Sequence, residues 1–81
     1  MNSIIDNLPD RGKTLLNYIK DFYTKNKYGP TFGEILQALN WSTKSLVDYW
    51  VQQLEQRGLV ERVPRHPRSL KPTPLALGAL A

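Results

Sequence analysis

Four side chains with hydrogen-bonding groups recur at helical spacing in the middle of the chain. They are Ser45, Tyr49, Gln52 and Gln56, at intervals of four, three and four residues. At about 100° per residue this spacing places all four on one face of a helix. A glutamine amide can bond adenine N6 and N7, and a serine hydroxyl can bond several bases. The pattern favours contact with base edges, although glutamine is also a common helix former on exposed surfaces.

The net positive charge lies beyond this stripe. Residues 1–56 hold six basic and six acidic side chains, whereas residues 57–81 hold five basic and one acidic, which accounts for the net +4. Arg65, His66, Arg68 and Lys71 fall in this basic part and are candidates for phosphate or minor-groove contacts. A local basic patch favours a polyanionic partner. On charge alone, a merely solvated surface remains an equal alternative.

The elements that would position these residues follow a helix-turn-helix pattern. Thr31 and Glu34 have the spacing of a capping box, which predicts the start of a helix. Asn40 tolerates the left-handed conformation that ends such a helix. Ser42 or Thr43 can then cap the next helix. The sequence therefore predicts two helices joined by a turn of three to four residues.

Apolar periodicity predicts which faces of the helices are buried. An earlier helix begins near Pro9 and Asp10 and ends at Gly29–Pro30. The helix that carries the polar stripe runs to about Arg57, with Gly58 as its terminator. The predicted core comprises Leu15, Ile19, Phe22, Ile35, Leu39, Val47, Val51, Leu54, Leu59 and Val60.

After Gly58 the sequence predicts two short strands joined by a proline-containing turn. The predicted fold class is mostly α with a small β-hairpin: a winged helix-turn-helix, in which a three-helix bundle is followed by a two-stranded wing. The predicted organisation is an amino-terminal arm at residues 1–8, the DNA-binding domain at residues 9–73 and a linker-like tail at residues 74–81.

No pattern in the sequence predicts an enzyme, a metal site or a cofactor. The chain has no cysteine, and its single histidine, His66, lies in the predicted turn, where simple exposure explains it. The sequence also lacks a membrane-spanning apolar run and a signal-peptide pattern. We therefore expect a cytoplasmic, nucleoid-associated domain with no membrane partner.

The chain resembles the amino-terminal DNA-binding domain of the LexA-type repressors of the bacterial DNA-damage (SOS) response. The resemblance covers about residues 8–73. Its motifs are Gly29-Pro30-Thr31 with Glu34-Ile35, the turn through Trp41 and Thr43, Leu54 with Arg57-Gly58-Leu59-Val60, and Arg68-Ser69-Leu70-Lys71. It implies that the third helix enters the major groove of double-stranded DNA, with Thr43, Ser45, Leu46, Asp48 and Tyr49 facing the bases.

The residues and the resemblance together predict two groups of DNA contacts. The recognition-helix group is Thr43, Lys44, Ser45, Leu46, Asp48, Tyr49 and Gln52, and the wing group is Arg65, His66, Arg68 and Lys71. Several recognition-helix residues differ in type from those of well-known members. The operator of those members is therefore not carried over to this chain.

The resemblance implies a sequence-specific transcriptional repressor. Members of the family continue into a peptidase-like domain with a Ser–Lys dyad, which drives dimerisation and self-cleavage and is not in this sequence. A separately prepared amino-terminal half, a fragment and a natural stand-alone protein all stay open. We expect a monomer as an isolated domain, paired on a palindromic or tandem site for tight binding. The alternative function is a winged-helix protein-interaction module that uses Leu46, Tyr49 and Trp50.

Overall fold

The computed structural model describes residues 8–63, 66 and 68–80, with residues 78–80 described through their backbone only. Within these residues the elements are α1 (Asp10–Asn26), α2 (Phe32–Ala38), α3 (Lys44–Gln56), β1 (Val60–Glu61), β2 (Lys71–Pro72) and α4 (Pro74–Leu80). The two strands pair antiparallel, with Val60 opposite Pro72 and Glu61 opposite Lys71. The predicted winged helix-turn-helix with its two-stranded wing is confirmed.

The helices pack around one apolar core. Eight of its large apolar side chains are fully buried and come from α1, α2, α3 and the start of the wing: Leu15, Leu16, Ile19, Ile35, Val47, Val51, Leu54 and Leu59. Each such side chain stabilises the fold by about 1.5–3 kcal/mol relative to leaving it exposed. Two predicted core residues, Phe22 and Leu39, are only half-buried. The ring of Phe22 instead contacts those of Tyr18 and Tyr28, at 5.9 and 5.8 Å between centroids.

Backbone bonds to the turn explain why α2 ends where the sequence predicts. Asn40 adopts a left-handed φ of 55°. Its N–H donates to the Gln37 carbonyl at 3.3 Å, and the Trp41 N–H donates to the Leu36 carbonyl at 3.0 Å. These bonds satisfy carbonyls that the helix leaves without partners. Thr43 then caps α3 by accepting from the Leu46 N–H at 3.3 Å.

The end of α1 differs from the prediction. The helix stops at Asn26, and Lys27 takes the left-handed conformation (φ 66°) and donates its N–H to the Tyr23 carbonyl. Gly29 is therefore not the helix terminator. Its N–H donates to the Arg68 carbonyl at 3.0 Å, so this residue joins the first helix to the returning half of the wing.

The linker-like tail predicted at residues 74–81 is wrong over most of its length. Residues Pro74–Leu80 form α4, on which Ala76 is fully buried. Thr73 starts the helix: its hydroxyl accepts from the Ala76 N–H at 3.3 Å and donates to the Gly58 carbonyl at 2.6 Å. A threonine before a proline is a common helix start, since proline suits the first helical position.

Leu8 is the only residue of the predicted arm that the structure describes, and it is buried in the core. Residues 1–7 and residue 81 lie outside the described residues. Among the helices that the structure describes, none is long and apolar enough to cross a membrane.

Candidate nucleic-acid interface

The third helix turns one face to the core and the opposite face to solvent. Val47, Val51 and Leu54 form the buried face. Five of the seven predicted recognition-helix residues are exposed: Thr43, Lys44, Ser45, Tyr49 and Gln52. The other two, Leu46 and Asp48, are half-buried at the boundary. The fold therefore keeps the polar stripe available to a partner while α3 is anchored by its apolar side.

A shallow concavity lies on this exposed face. It is lined by Phe32, Lys44, Ser45, Asp48, Tyr49 and Gln52. Phe32 comes from the first turn of α2, so the concavity spans both helices of the helix-turn-helix. Phe32 is not predictable as a site residue from the sequence, because its position next to α3 depends on how the two helices cross.

Arg62 also reaches this face, from the residue after β1. Its guanidinium lies 3.6 Å from Asp48 Oδ1 and 3.2 Å from Glu55 Oε1. It also lies 5.4 Å from the centroid of the Phe32 ring, within the range of a cation–π contact. Arg62 is not predictable as a site residue from the sequence, because no local pattern places it against α3.

Asp48 receives a second contact from its own helix. The Gln52 Nε2 donates to Asp48 Oδ2 at 2.8 Å, one helical turn apart. The Asp48 carboxylate thus has Arg62 on one oxygen and Gln52 on the other. Two of the predicted base-contacting residues are therefore already joined to each other before any ligand binds.

The sequence predicts that Arg68 contacts DNA from the wing. In the structure its side chain instead lies against α2. Its guanidinium bonds both Glu34 carboxylate oxygens, at 2.6 and 3.3 Å. It also contacts the Gly29 carbonyl at 3.4 Å and lies 4.9 Å from the Tyr28 ring centroid. Arg68 therefore ties the wing to the helix-turn-helix, and Glu34 compensates the charge that was predicted to meet phosphate.

The other wing residues differ in their surroundings. His66 is exposed, and Lys71 pairs across the strands with Glu61 at 3.3 Å. Arg65 lies outside the described residues. Ser69 is a further wing residue with several contacts: its hydroxyl accepts from the Val63 N–H at 2.8 Å and donates to the His66 carbonyl at 2.7 Å.

Glu34 is the residue at which the helix cap and the wing meet. It completes the predicted capping box, because its carboxylate accepts from the Thr31 N–H at 2.9 Å and its own N–H donates to Thr31 Oγ1 at 3.1 Å. The hydrogen bond from the Thr31 backbone, with the Arg68 guanidinium adding to it, lowers the pKa of Glu34 below its ordinary value. The charged form of Glu34 is thus the form that the fold favours.

Glu34→Gln is expected to reduce the loss of stability on acidification. A carboxyl whose pKa is lowered by folding stabilises the protein above its ordinary pKa, and this contribution disappears as the pH falls through the lowered value. Glutamine retains the capping box but not the charge that faces Arg68. Urea unfolding over a series of pH values should therefore show the two proteins differing most at neutral pH and converging in acid. A difference that stays constant with pH would contradict this.

The described residues contain no cluster of three or more His, Asp or Glu side chains that could hold a metal ion. The exposed side chains of the described site are the polar groups of α3, the Tyr49 ring and a few basic groups. Such groups suit the binding of a polar partner by hydrogen bonds.

Sequence comparisons give the relationships of the chain. The profile of the LexA DNA-binding domain matches residues 5–69. The LexA repressor of Carboxydothermus hydrogenoformans is 34% identical over 64 residues, which are 79% of this chain and 31% of that protein. The LexA repressor of Syntrophobacter fumaroxidans is 33% identical over 76 residues, 93% of this chain and 37% of that protein. That of Roseiflexus sp. is 35% identical over 66 residues, 82% and 30% respectively. The chain thus spans about a third of the length of the curated relatives it matches.

Proposed function

This chain belongs to the LexA DNA-binding domain family, and on that premise we propose that it is a sequence-specific transcriptional repressor of double-stranded DNA sites. The observation that carries the proposal is the exposed face of α3. It presents hydroxyl and amide groups from Ser45, Tyr49 and Gln52 while the opposite face holds the helix to the core. A helix held in this way can lie in the major groove with its amino-terminal part near the bases.

The proposed base-reading group is the one predicted from the sequence. Thr43, Lys44 and Ser45 belong to the amino-terminal end of α3, where recognition helices of this kind approach the bases. Leu46, Asp48, Tyr49 and Gln52 extend the same surface along the next two turns. Asp48 and Gln52 are hydrogen-bonded to each other. A base can therefore contact only the donors and acceptors of these two side chains that this bond does not use.

The wing supports a different role, that of positioning on the backbone. Contacts to phosphate fix the register of a protein on DNA without reading sequence. His66 and Lys71 are exposed and remain proposed contacts, as does Arg65, which falls outside the described residues. For Arg68 we propose a changed role, in which its contacts with Glu34 and Tyr28 set the angle between the wing and α3.

One α3 helix with one wing offers a small surface, so a single half-site should bind weakly. We propose that the isolated domain is a monomer and that two copies occupy a palindromic or tandem site. We also propose that the chain catalyses no reaction and acts in the cytoplasm at the nucleoid, because the family match concerns a DNA-binding domain.

Ser45→Ala and Gln52→Ala are expected to change which sequences the protein selects from a random duplex pool. Each loses a contact to one base pair, and the preference at that base pair should fall by about 1–3 kcal/mol. Sequencing of the bound pool measures this directly. The selected sites should also contain the motif twice, as an inverted or direct repeat, if two copies bind together.

Gln56→Ala is the matched control. Gln56 lies on the same exposed face but in the last turn of α3, away from the end that approaches the bases. Its loss should leave the motif unchanged. Failure of the unaltered protein to enrich any motif would reject DNA reading and would favour the protein-interaction alternative, with Tyr49 (54% exposed) at its centre.

A further inference from the structure

We propose that Arg62 is a positioning residue for base recognition, which acts by holding Asp48 so that Asp48 fixes the orientation of the Gln52 amide. The inference rests on the proposed function and names a residue outside the predicted DNA-contacting groups. Arg62 contacts Asp48, and Asp48 in turn contacts Gln52, so the wing is connected to a side chain of the base-reading group.

Arg62 joins the wing to both helices of the helix-turn-helix. This residue follows β1. Its side chain is only 28% exposed, because it extends from the wing to the Asp48 and Glu55 side chains of α3. It meets two carboxylates seven residues apart on α3, those of Asp48 and Glu55, and the ring of Phe32 on α2. A planar guanidinium with several donors can make these contacts together, whereas an ammonium group acts at one point.

The hydrogen bond to Asp48 fixes the orientation of the Gln52 amide. Because Gln52 donates one Nε2 hydrogen to Asp48 Oδ2, the amide nitrogen is turned towards Asp48. The carbonyl oxygen and the second N–H remain available for a ligand. One acceptor beside one donor is the pair that matches adenine N6 and N7. Without Asp48 in this position, the amide can rotate and exchange its donor and acceptor ends.

The ion pairs of Arg62 contribute little to the stability of the fold. The side chains of Asp48 and Glu55 are 45% and 31% exposed. Exposed ion pairs contribute little to stability, typically about 0–1 kcal/mol. The buried apolar residues stabilise α3 far more than this network does. The main consequence of the network is therefore the position of its side chains on the DNA-facing surface, and the masking of an acidic group that would otherwise repel phosphate.

Arg62→Met tests the proposal, because methionine retains the apolar stem and removes the guanidinium. In selection from a random duplex pool, the preference at the base pair assigned to Gln52 should fall by about fivefold or more. The preference at the base pair assigned to Ser45 should change by less than about twofold. Added to Gln52→Ala, Arg62→Met should cause no further change at the Gln52 base pair, since both act through the same amide.

Arg57→Met is the matched control, because it removes an equal charge from an exposed residue at the end of α3. It should weaken all sequences about equally and leave the motif intact. Urea unfolding of each variant shows whether it is folded. If Arg62→Met does not fold, Arg62→Lys decides the question by the same comparison, because lysine keeps the charge but cannot reach Asp48 and Glu55 together.

The outcomes separate the two proposals. A wild-type protein that selects no motif rejects the proposed function. A wild-type protein that selects a motif, with an Arg62 variant that selects the same motif at uniformly lower affinity, overturns the positioning role and leaves the proposed function in place. Loss of preference confined to the Gln52 base pair supports the positioning role, since a purely structural effect would lower every position together.

Discussion

Gly29→Ala is expected to destabilise the protein by about 3 kcal/mol or more, at the upper end of the cost of overpacking. A Cβ added at Gly29 would overlap the Leu70 carbonyl oxygen and lie 2.7 Å from its carbonyl carbon. Both are backbone atoms, so no side-chain rotation can relieve the overlap. The wing must move away from the end of α1, which also breaks the bond from the Gly29 N–H to the Arg68 carbonyl. Urea unfolding measures the loss.

Gly33→Ala provides the comparison for this prediction. The nearest atom to a Cβ at Gly33 is Thr31 Oγ1, at 3.9 Å, which is ordinary van der Waals contact. Because Gly33 lies within α2, alanine should raise stability by about 0.5–1 kcal/mol through helix propensity. If both variants changed stability by the same small amount, the close approach of the wing to Gly29 would be incorrect.

Leu54→Ala is expected to cost about 2–4 kcal/mol of folding free energy through the cavity it leaves. Leu54 is fully buried on the core face of α3. Its carbonyl also accepts from the Leu59 N–H at 2.9 Å, where the helix turns into the wing. A domain of this size has only about 4–12 kcal/mol of total stability. Thermal and urea unfolding should therefore show a large decrease in the free energy of unfolding and in Tm.

Leu77→Ala removes the same atoms from a side chain that is 38% exposed on α4. Its expected cost in folding free energy is well below that of Leu54→Ala, because the Leu77 side chain buries less apolar surface when the protein folds. A loss below about 0.5 kcal/mol for Leu54→Ala would show that the buried face of α3 is assigned incorrectly.

Local signals were sufficient for the helix-turn-helix and for the face that α3 exposes. The Thr31–Glu34 capping box, the left-handed Asn40 and the terminator Gly58 each depend on bonds within a few residues. The positions of Val47, Val51 and Leu54 on the core side follow from helical periodicity. Such features are predictable because the residues that make them are neighbours in the chain.

The start of α4 was also a local signal, but the residues after it obscured the prediction. Thr73 and Pro74 are a suitable helix start, whereas the following apolar and small residues show no polar face. What stabilises this helix is the packing of Ala76 and the bond from Thr73 to the Gly58 carbonyl. Those contacts depend on the wing having folded back beside the end of α3.

The partners of the arginines were decided by the tertiary structure alone. Arg68 meets Glu34, which lies 34 residues earlier, and Arg62 meets Asp48, fourteen residues earlier on another element. Gly29 is required by the carbonyl of Leu70 and not by its own helix. Charge and composition place Arg62 and Arg68 in a basic segment. They do not encode how closely the wing packs on the helices. That packing determines which positive charges are compensated within the protein and which remain for DNA.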